Sequence, residues 1–152
     1  MNVRQYLDQS QKHFDVLMHL DTYSAQGMAQ AVRVREDEVA KPVILKADGK
    51  YVMAVIPACC RVDLDKARSA LHAQTLELAH ESDFGRLFPD CERGARPPFG
   101  SQYGMPTMVD EALTRDEQIV FEGNTHREAF RMPYQEFEEL ERPRMADLTR
   151  HN

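Results

Sequence analysis

The stretch from Val39 to Pro57, VAKPVILKADGKYVMAVIP, constrains this chain more than any other. Two runs rich in β-branched and large apolar residues meet at Asp48-Gly49, a dipeptide that accepts the positive φ angles of a tight hairpin turn. From Tyr51 to Ile56 every side chain is apolar, so both faces of that strand need cover and it belongs inside a sheet. The partner run carries one discordant residue. If VAKPVILKA is a strand, the period of two places Lys41 with Val39, Val43, Leu45 and Ala47 on an apolar face.

The rest of the chain supplies what such a hairpin requires. VRQYLDQSQ has Val3, Tyr6 and Leu7 at helical spacing, and HFDVLMHL reads as a strand. Tyr23 to Val32 is helical, with Thr22 or Ser24 able to cap its first turn and an apolar stripe of Ala25, Met28, Ala29 and Val32. DLDKARSALHA forms a further helix capped by Asp63 or Asp65, with Leu64, Ala67 and Leu71 inward, and ESDFGRLF a short one ending at Pro89. PTMVD is a strand, EQIVFEG and HREAFRM form a second hairpin through Gly123-Asn124, and YQEFEEL is the last helix. Strands interleaved with helices, combined with two hairpins, predict an α/β (α+β) domain whose sheet is mixed and not purely parallel.

At 152 residues this is one domain, spanning 1–152, with 143–152 expected as a flexible tail. No apolar run approaches the roughly 20 residues that cross a bilayer, and MNVRQYLDQSQKHF is not a secretory signal, so the expected compartment is the cytoplasm, without membrane association. Three cysteines, Cys59, Cys60 and Cys91, match neither a disulfide framework nor a zinc pattern; they are expected as buried or half-buried thiols. The formal charge of −6 argues against coating nucleic acid through the overall field, and no DNA partner is expected. A local basic rim of Lys41, Lys46, Lys50, Arg93, Arg96 and Arg127 stays possible if the hairpins and the loop converge.

Three features could carry chemistry. Lys41 either snorkels to solvent from a strand end or holds a cation at a pocket mouth, where Pro42 marks an edge. ERGARPPFG, residues 92–100, is either a connector or a site. Gly94 and Gly100 free the backbone, Pro97 and Pro98 stiffen it, and the unpaired amides from Gly94 to Arg96 and at Phe99 and Gly100 could point at a carbonyl oxygen or a phosphate. His126 is either a solvent-exposed hairpin histidine or a base or substrate contact. No Ser-His-Asp order, HExxH, P-loop or dinucleotide fingerprint occurs, so no nucleophile or metal is advertised.

Lys41 in VAKPVIL, the run AVIPACCRVDLDKARSAL, the passage DCERGARPPFG, then MVDEAL and FEGNTHREAFRMPYQEFEEL resemble, in this order, the YbaK/EbsC family of aminoacyl-tRNA deacylases, related to the editing domain of bacterial prolyl-tRNA synthetases. The likeness runs from about His19 to Leu140. It implies a compact α/β domain with a partly barrel-like mixed sheet flanked by helices, hydrolysing the ester that joins a wrong amino acid to the tRNA 3′ end. The substrate so implied is tRNA(Pro) carrying alanine or another small residue. By the same resemblance Lys41, Gly94 and Pro98 are the catalytic positions. Thr22, Tyr23, Ser24, Arg96, Phe99, Gly100 and His126 bind substrate, and neither cofactor nor metal is needed. Pro42 stands where relatives often have threonine, and Arg96 and Pro97 where they have small or hydroxylated residues. The alternatives are a non-catalytic module binding tRNA ends or aminoacyl nucleotides, and a deacylase for a different small ester. A monomer or weak dimer is expected.

Overall fold

The computed structural model describes residues 2–151. In chain order it contains α1 (Val3–Gln9), β1 (Asp15–Met18), α2 (Ala25–Val32), β2 (Ala40–Ala47), β3 (Lys50–Pro57), β4 (Cys60–Val62), α3 (Leu64–Leu71), β5 (Leu76–Leu78), α4 (Glu81–Leu87), β6 (Thr107–Asp110), β7 (Gln118–Glu122), β8 (Glu128–Pro133), α5 (Tyr134–Glu141), β9 (Arg144–Ala146) and β10 (Thr149–His151). Asp48 and Gly49 both take positive φ, the turn that joins antiparallel β2 and β3 with Ala47 opposite Lys50. Asp48 does more than turn the chain. Its carboxylate accepts from the amides of Gln74 and Thr75 and from the Thr75 hydroxyl, which docks the start of β5 against the hairpin.

The sheet around β3 has the order β5-β2-β3-β6-β9, antiparallel on one side of β3 and parallel on the other, so the expected mixed sheet is present. β3 is an interior strand with both faces covered. Met53 and Val55 pack into a cluster with Phe99, Phe121, Phe130 and Phe137, while Val52, Ala54 and Ile56 face Ala67 of α3 and Leu148. A second sheet, β1-β8-β7, meets the first through a single parallel bridge, Val39 to Val120. Among the described residues the strands do not close into a barrel. The partly barrel-like expectation therefore reduces to two sheets joined by one ladder bridge and packed on a shared apolar core.

Two expectations need correction. Residues 143–152 were expected as a flexible tail, but β9 pairs in parallel with β6 and β10 pairs with β4. The buried Asp110 carboxylate accepts from the Leu148 amide at 2.8 Å, and Leu148 fills the core beneath α3. The physical reason is a polar anchor that no local pattern reveals: a strand-end aspartate supplies an acceptor to a segment 38 residues away. Leu64 was expected inward on α3 and is instead exposed: it is the first residue of the helix, directly after the Asp63 cap, and lies outside the apolar cluster that Ala67 enters one turn later. The inward stripe is Ala67, Ala70 and Leu71.

Candidate functional site

The site grows from the end of β7. Val39 and Val120 form a parallel bridge and share one apolar cluster. Lys41, two residues beyond Val39, lies opposite Ile56 in the β2–β3 ladder, and Glu122 ends β7 two residues beyond Val120. Lys41 is half-buried, and its Nζ donates to the Cys60 carbonyl at 3.1 Å. Burial holds its pKa below the usual lysine value, opposed by Cys60, Cys59 and Glu36. Glu122, which the sequence reading passed over, has a side chain only 13% exposed and lies 2.7 Å from Nδ1 of His126. The contact is an ion pair by distance, in an orientation poor for a hydrogen bond.

His126 is buried at 7% exposure, which removes the reading of a solvent-exposed hairpin residue. Its surroundings come from three segments. The His126 amide donates to the Glu92 carboxylate at 2.8 Å, its ring Nε2 lies 2.6 Å from the Arg93 carbonyl, and its own carbonyl accepts from the Thr22 amide. Tyr23 lies against the imidazole with ring centroids 4.9 Å apart, and Arg127 pairs with Asp21 at 2.6 Å. Thr22, Tyr23 and His126 are thus brought together. The Thr22 hydroxyl is buried without a hydrogen-bond partner among the described residues. Ser24, although adjacent, caps α2 by accepting from Gly27, so its hydroxyl is already engaged.

The loop at 92–100 divides into two parts. Gly94 is exposed, with φ at +85°, and a Cβ there would lie 3.5 Å from the His126 ring; its N–H makes no hydrogen bond within the described chain, nor does that of Arg96. The Ala95 amide closes a turn onto the Glu92 carbonyl. Arg96 lays its guanidinium over the Phe84 ring, 4.4 Å from the centroid, with its charge facing Glu122, so it is a wall and not a free arm. Beyond it Pro97, Pro98, Phe99 and Gly100 are buried.

Phe99 and Gly100, expected as substrate contacts, belong to the core. The Phe99 ring is fully buried between Tyr6, Phe121 and Phe137, and the Gly100 amide donates to the Thr107 hydroxyl at 3.0 Å. Thr107 in turn donates to Glu141, whose other oxygen holds Ser101. A Cβ on Gly100 would fall 2.5 Å from the Thr107 oxygen and 2.8 Å from the Met105 carbonyl. Gly100→Ala is therefore expected to cost about 1–3 kcal/mol by overpacking, read as a lower urea midpoint with an unchanged slope.

The basic rim that convergence of the hairpins and the loop would have formed does not assemble. Lys46 and Lys50 lie toward the turn end of the hairpin, so Lys46 is roughly 17 Å along the strand from Lys41. Lys46 lies over the Tyr51 ring and Arg127 is paired with Asp21. Among the described residues no hydrogen bond or ion pair joins Lys41 to the Gly94 loop, and no group of three or more His, Cys, Asp or Glu is placed to hold a metal ion. Burial pushes the Cys59 and Cys91 thiols up to about 11, which keeps them protonated near neutral pH and poor as nucleophiles. No helix of the described chain is long and apolar enough to cross a membrane.

Comparison with known proteins adds the decisive context. The family model of the aminoacyl-tRNA editing domain matches residues 19–140. The chain belongs to that family. Among solved structures, this editing domain is similar to one described as a proposed trans-editing enzyme for prolyl-tRNA synthetase, at 25% identity and a TM-score of 0.85, covering 97% of this chain and 94% of that one. It is also similar to a scaffold used in computational grafting of linear epitopes, at 25% identity and a TM-score of 0.86, covering 97% and 95%. A third, called a hypothetical protein, shares the fold at 19% identity and a TM-score of 0.88, covering 97% and 99%. No match was found among curated proteins.

Proposed function

We propose that this editing domain works as a free-standing deacylase on mischarged tRNA, with tRNA(Pro) bearing alanine or another small amino acid as substrate. The observation that carries the reading is the Gly94 amide: an N–H at positive φ, unpaired within the chain and exposed, on a peptide whose other side is held by His126. Such a donor suits the oxygen of an ester carbonyl as water adds to it and negative charge develops. The acyl C–O bond then breaks, the ribose oxygen takes one of the water's protons, and the amino acid leaves as its carboxylate with the other proton passing to solvent. Lys41, half-buried near the start of β2, offers a cation to the terminal phosphate or the aminoacyl group. The exposed Tyr23 ring, packed against His126, offers a face to the terminal nucleoside. No side-chain nucleophile is required, because an aminoacyl ester is already activated. The similarity to a proposed trans-editing enzyme for prolyl-tRNA synthetase supports the choice of tRNA.

The physical need is established by pocket selectivity. A synthetase separates amino acids differing by one methylene by only about 1–3 kcal/mol, so errors must be removed at a second site. The test is a panel of tRNAs charged with alanine, serine, cysteine and proline, incubated with the purified protein. Release of alanine from tRNA(Pro), with proline left in place, is the expected result. If no member of the panel is hydrolysed while a stable aminoacyl-adenosine analogue binds, the protein is a binding module and not an enzyme.

A further inference from the structure

We infer that Glu122 is a positioning residue that acts through His126 to orient and polarise the Gly94 N–H. The inference rests on the deacylase reading for its consequence, though not for its geometry. The Arg93 carbonyl and the Gly94 N–H belong to one peptide unit. Because that peptide is trans, a hydrogen bond that grips the carbonyl from the His126 side leaves the N–H pointing the opposite way. Donation into the carbonyl also polarises the peptide and makes its N–H a stronger donor. Glu122, His126 and the 93–94 peptide therefore form one line, ending at the amide placed to meet substrate.

Proton counting makes the arrangement testable. The imidazole lies between two acceptors, the Glu122 carboxyl at 2.7 Å and the Arg93 carbonyl at 2.6 Å. A carbonyl cannot donate, so Nε2 must carry a proton. Nδ1 then needs either its own proton, facing a carboxylate, or a protonated Glu122. At 2.7 Å, without hydrogen-bonding geometry, the Glu122–Nδ1 contact is favourable only while a proton sits on one of the two groups, so that no pair of bare lone pairs meets. When it leaves, either a ring lone pair faces the carboxylate or the ring turns its other lone pair onto the Arg93 oxygen, and one grip is lost.

The charges around the pair bear on when this happens. Burial raises Glu122 to about 7, with His126 and Arg96 pulling it down and Glu92 pushing it up. Asp21 and Arg127, paired with each other, flank His126 on the β1–α2 side, and Glu81 and Cys91 lie around Arg96. With the folded value above the unfolded one, the stabilising contribution of Glu122 is present below the ordinary carboxylate range and is lost as pH rises through about 7.

Glutamine at 122 separates geometry from titration, since its amide can donate to Nδ1 while Nε2–H still donates to Arg93. The experiment pairs deacylation kinetics, corrected for uncatalysed ester hydrolysis, with NMR of the His126 ring nitrogens and the Gly94 amide. Glu122→Ala is expected to lower kcat by roughly 10- to 100-fold, the range for groups that orient another residue, with KM within about twofold and the Gly94 amide proton shifted. Glu122→Gln should recover most of the rate and flatten the decline above neutral pH. In wild type the Gly94 amide and the His126 ring-nitrogen signals should both follow the titration of Glu122, with a midpoint that is missing in Glu122→Gln. A Gly94 amide that ignores both pH and Glu122→Ala overturns the inference, as does an alanine variant with unchanged kcat. If wild type hydrolyses nothing in the panel, the deacylase reading falls and the shared midpoint alone decides the relay. If the alanine variant does not fold, wild type and Glu122→Gln still give that comparison.

Discussion

Replacing Lys41 with methionine is expected to lower deacylation on the order of 10²-fold while leaving the protein folded, because it removes one charged donor from where charge develops. The choice of methionine matters. The lysine stem runs along an apolar face shared with Val43 and Leu45, and methionine keeps much of that packing while deleting the ammonium. The Cys60 carbonyl engages one of three protons on Nζ, so two remain for a phosphate or an acyl oxygen. Stability should move the other way. The lysine pKa is lowered by burial, so the charged form disfavours folding at neutral pH, a penalty that fades as pH rises past the folded value toward the unfolded one. The urea midpoint of Lys41→Met at pH 7 should therefore equal or exceed that of wild type. Full turnover in the variant would show that Lys41 only snorkels. Loss of activity together with loss of the cooperative transition would make its role structural.

Phe99→Ala should destabilise the protein by about 3–5 kcal/mol, a large share of the roughly 5–15 kcal/mol that holds a domain of this kind together. The ring is fully buried, with centroids 5.5 Å from Tyr6 of α1, 5.3 Å from Phe121 of β7 and 5.4 Å from Phe137 of α5. Three elements lose a common partner when it is cut back, and a cavity ringed by aromatic side chains cannot collapse cheaply. Urea unfolding followed by circular dichroism measures the shift. A cost below about 1 kcal/mol would mean that the ring is not packed as described. Phe99→Leu supplies the complementary result. It keeps apolar volume in the core, so deacylation per folded molecule should match wild type, whereas a ring in contact with substrate would lose turnover.

The elements were largely legible in the chain. Asp48-Gly49, the apolar run of β3 and the stripe of α2 each rest on local spacing, and the structure places all three as the spacing requires. Lys41 was legible too, since one cation among alternating apolar residues is visible without any partner. Glu122 carried a similar signal, an acid ending the buried run Ile119-Val120-Phe121, but its meaning depends on His126 four residues later across a loop. Asn124 was wholly hidden. Its side chain accepts the Val3 amide at 2.8 Å and its carbonyl accepts the Glu92 amide, contacts spanning 121 and 32 residues that no periodicity encodes.

The segment ERGARPPFG marks the boundary between what the chain alone determined and what the tertiary structure decided. Composition establishes that this stretch is stiff in some places and free in others, because glycine lacks a Cβ and proline lacks an N–H, and these are properties of single residues. It cannot say which half is which. Burial is set by what packs from elsewhere: three aromatic rings take Phe99 into the core, Thr107 takes the Gly100 amide, and His126 holds the Arg93 carbonyl so that the Gly94 N–H faces outward. Local sequence thus determined the strands, the turns and the lone lysine, since their causes lie within a few bonds. The orientation of the one amide on which the proposed chemistry depends was decided by residues about 30 positions away, through contacts that exist only once the chain has folded.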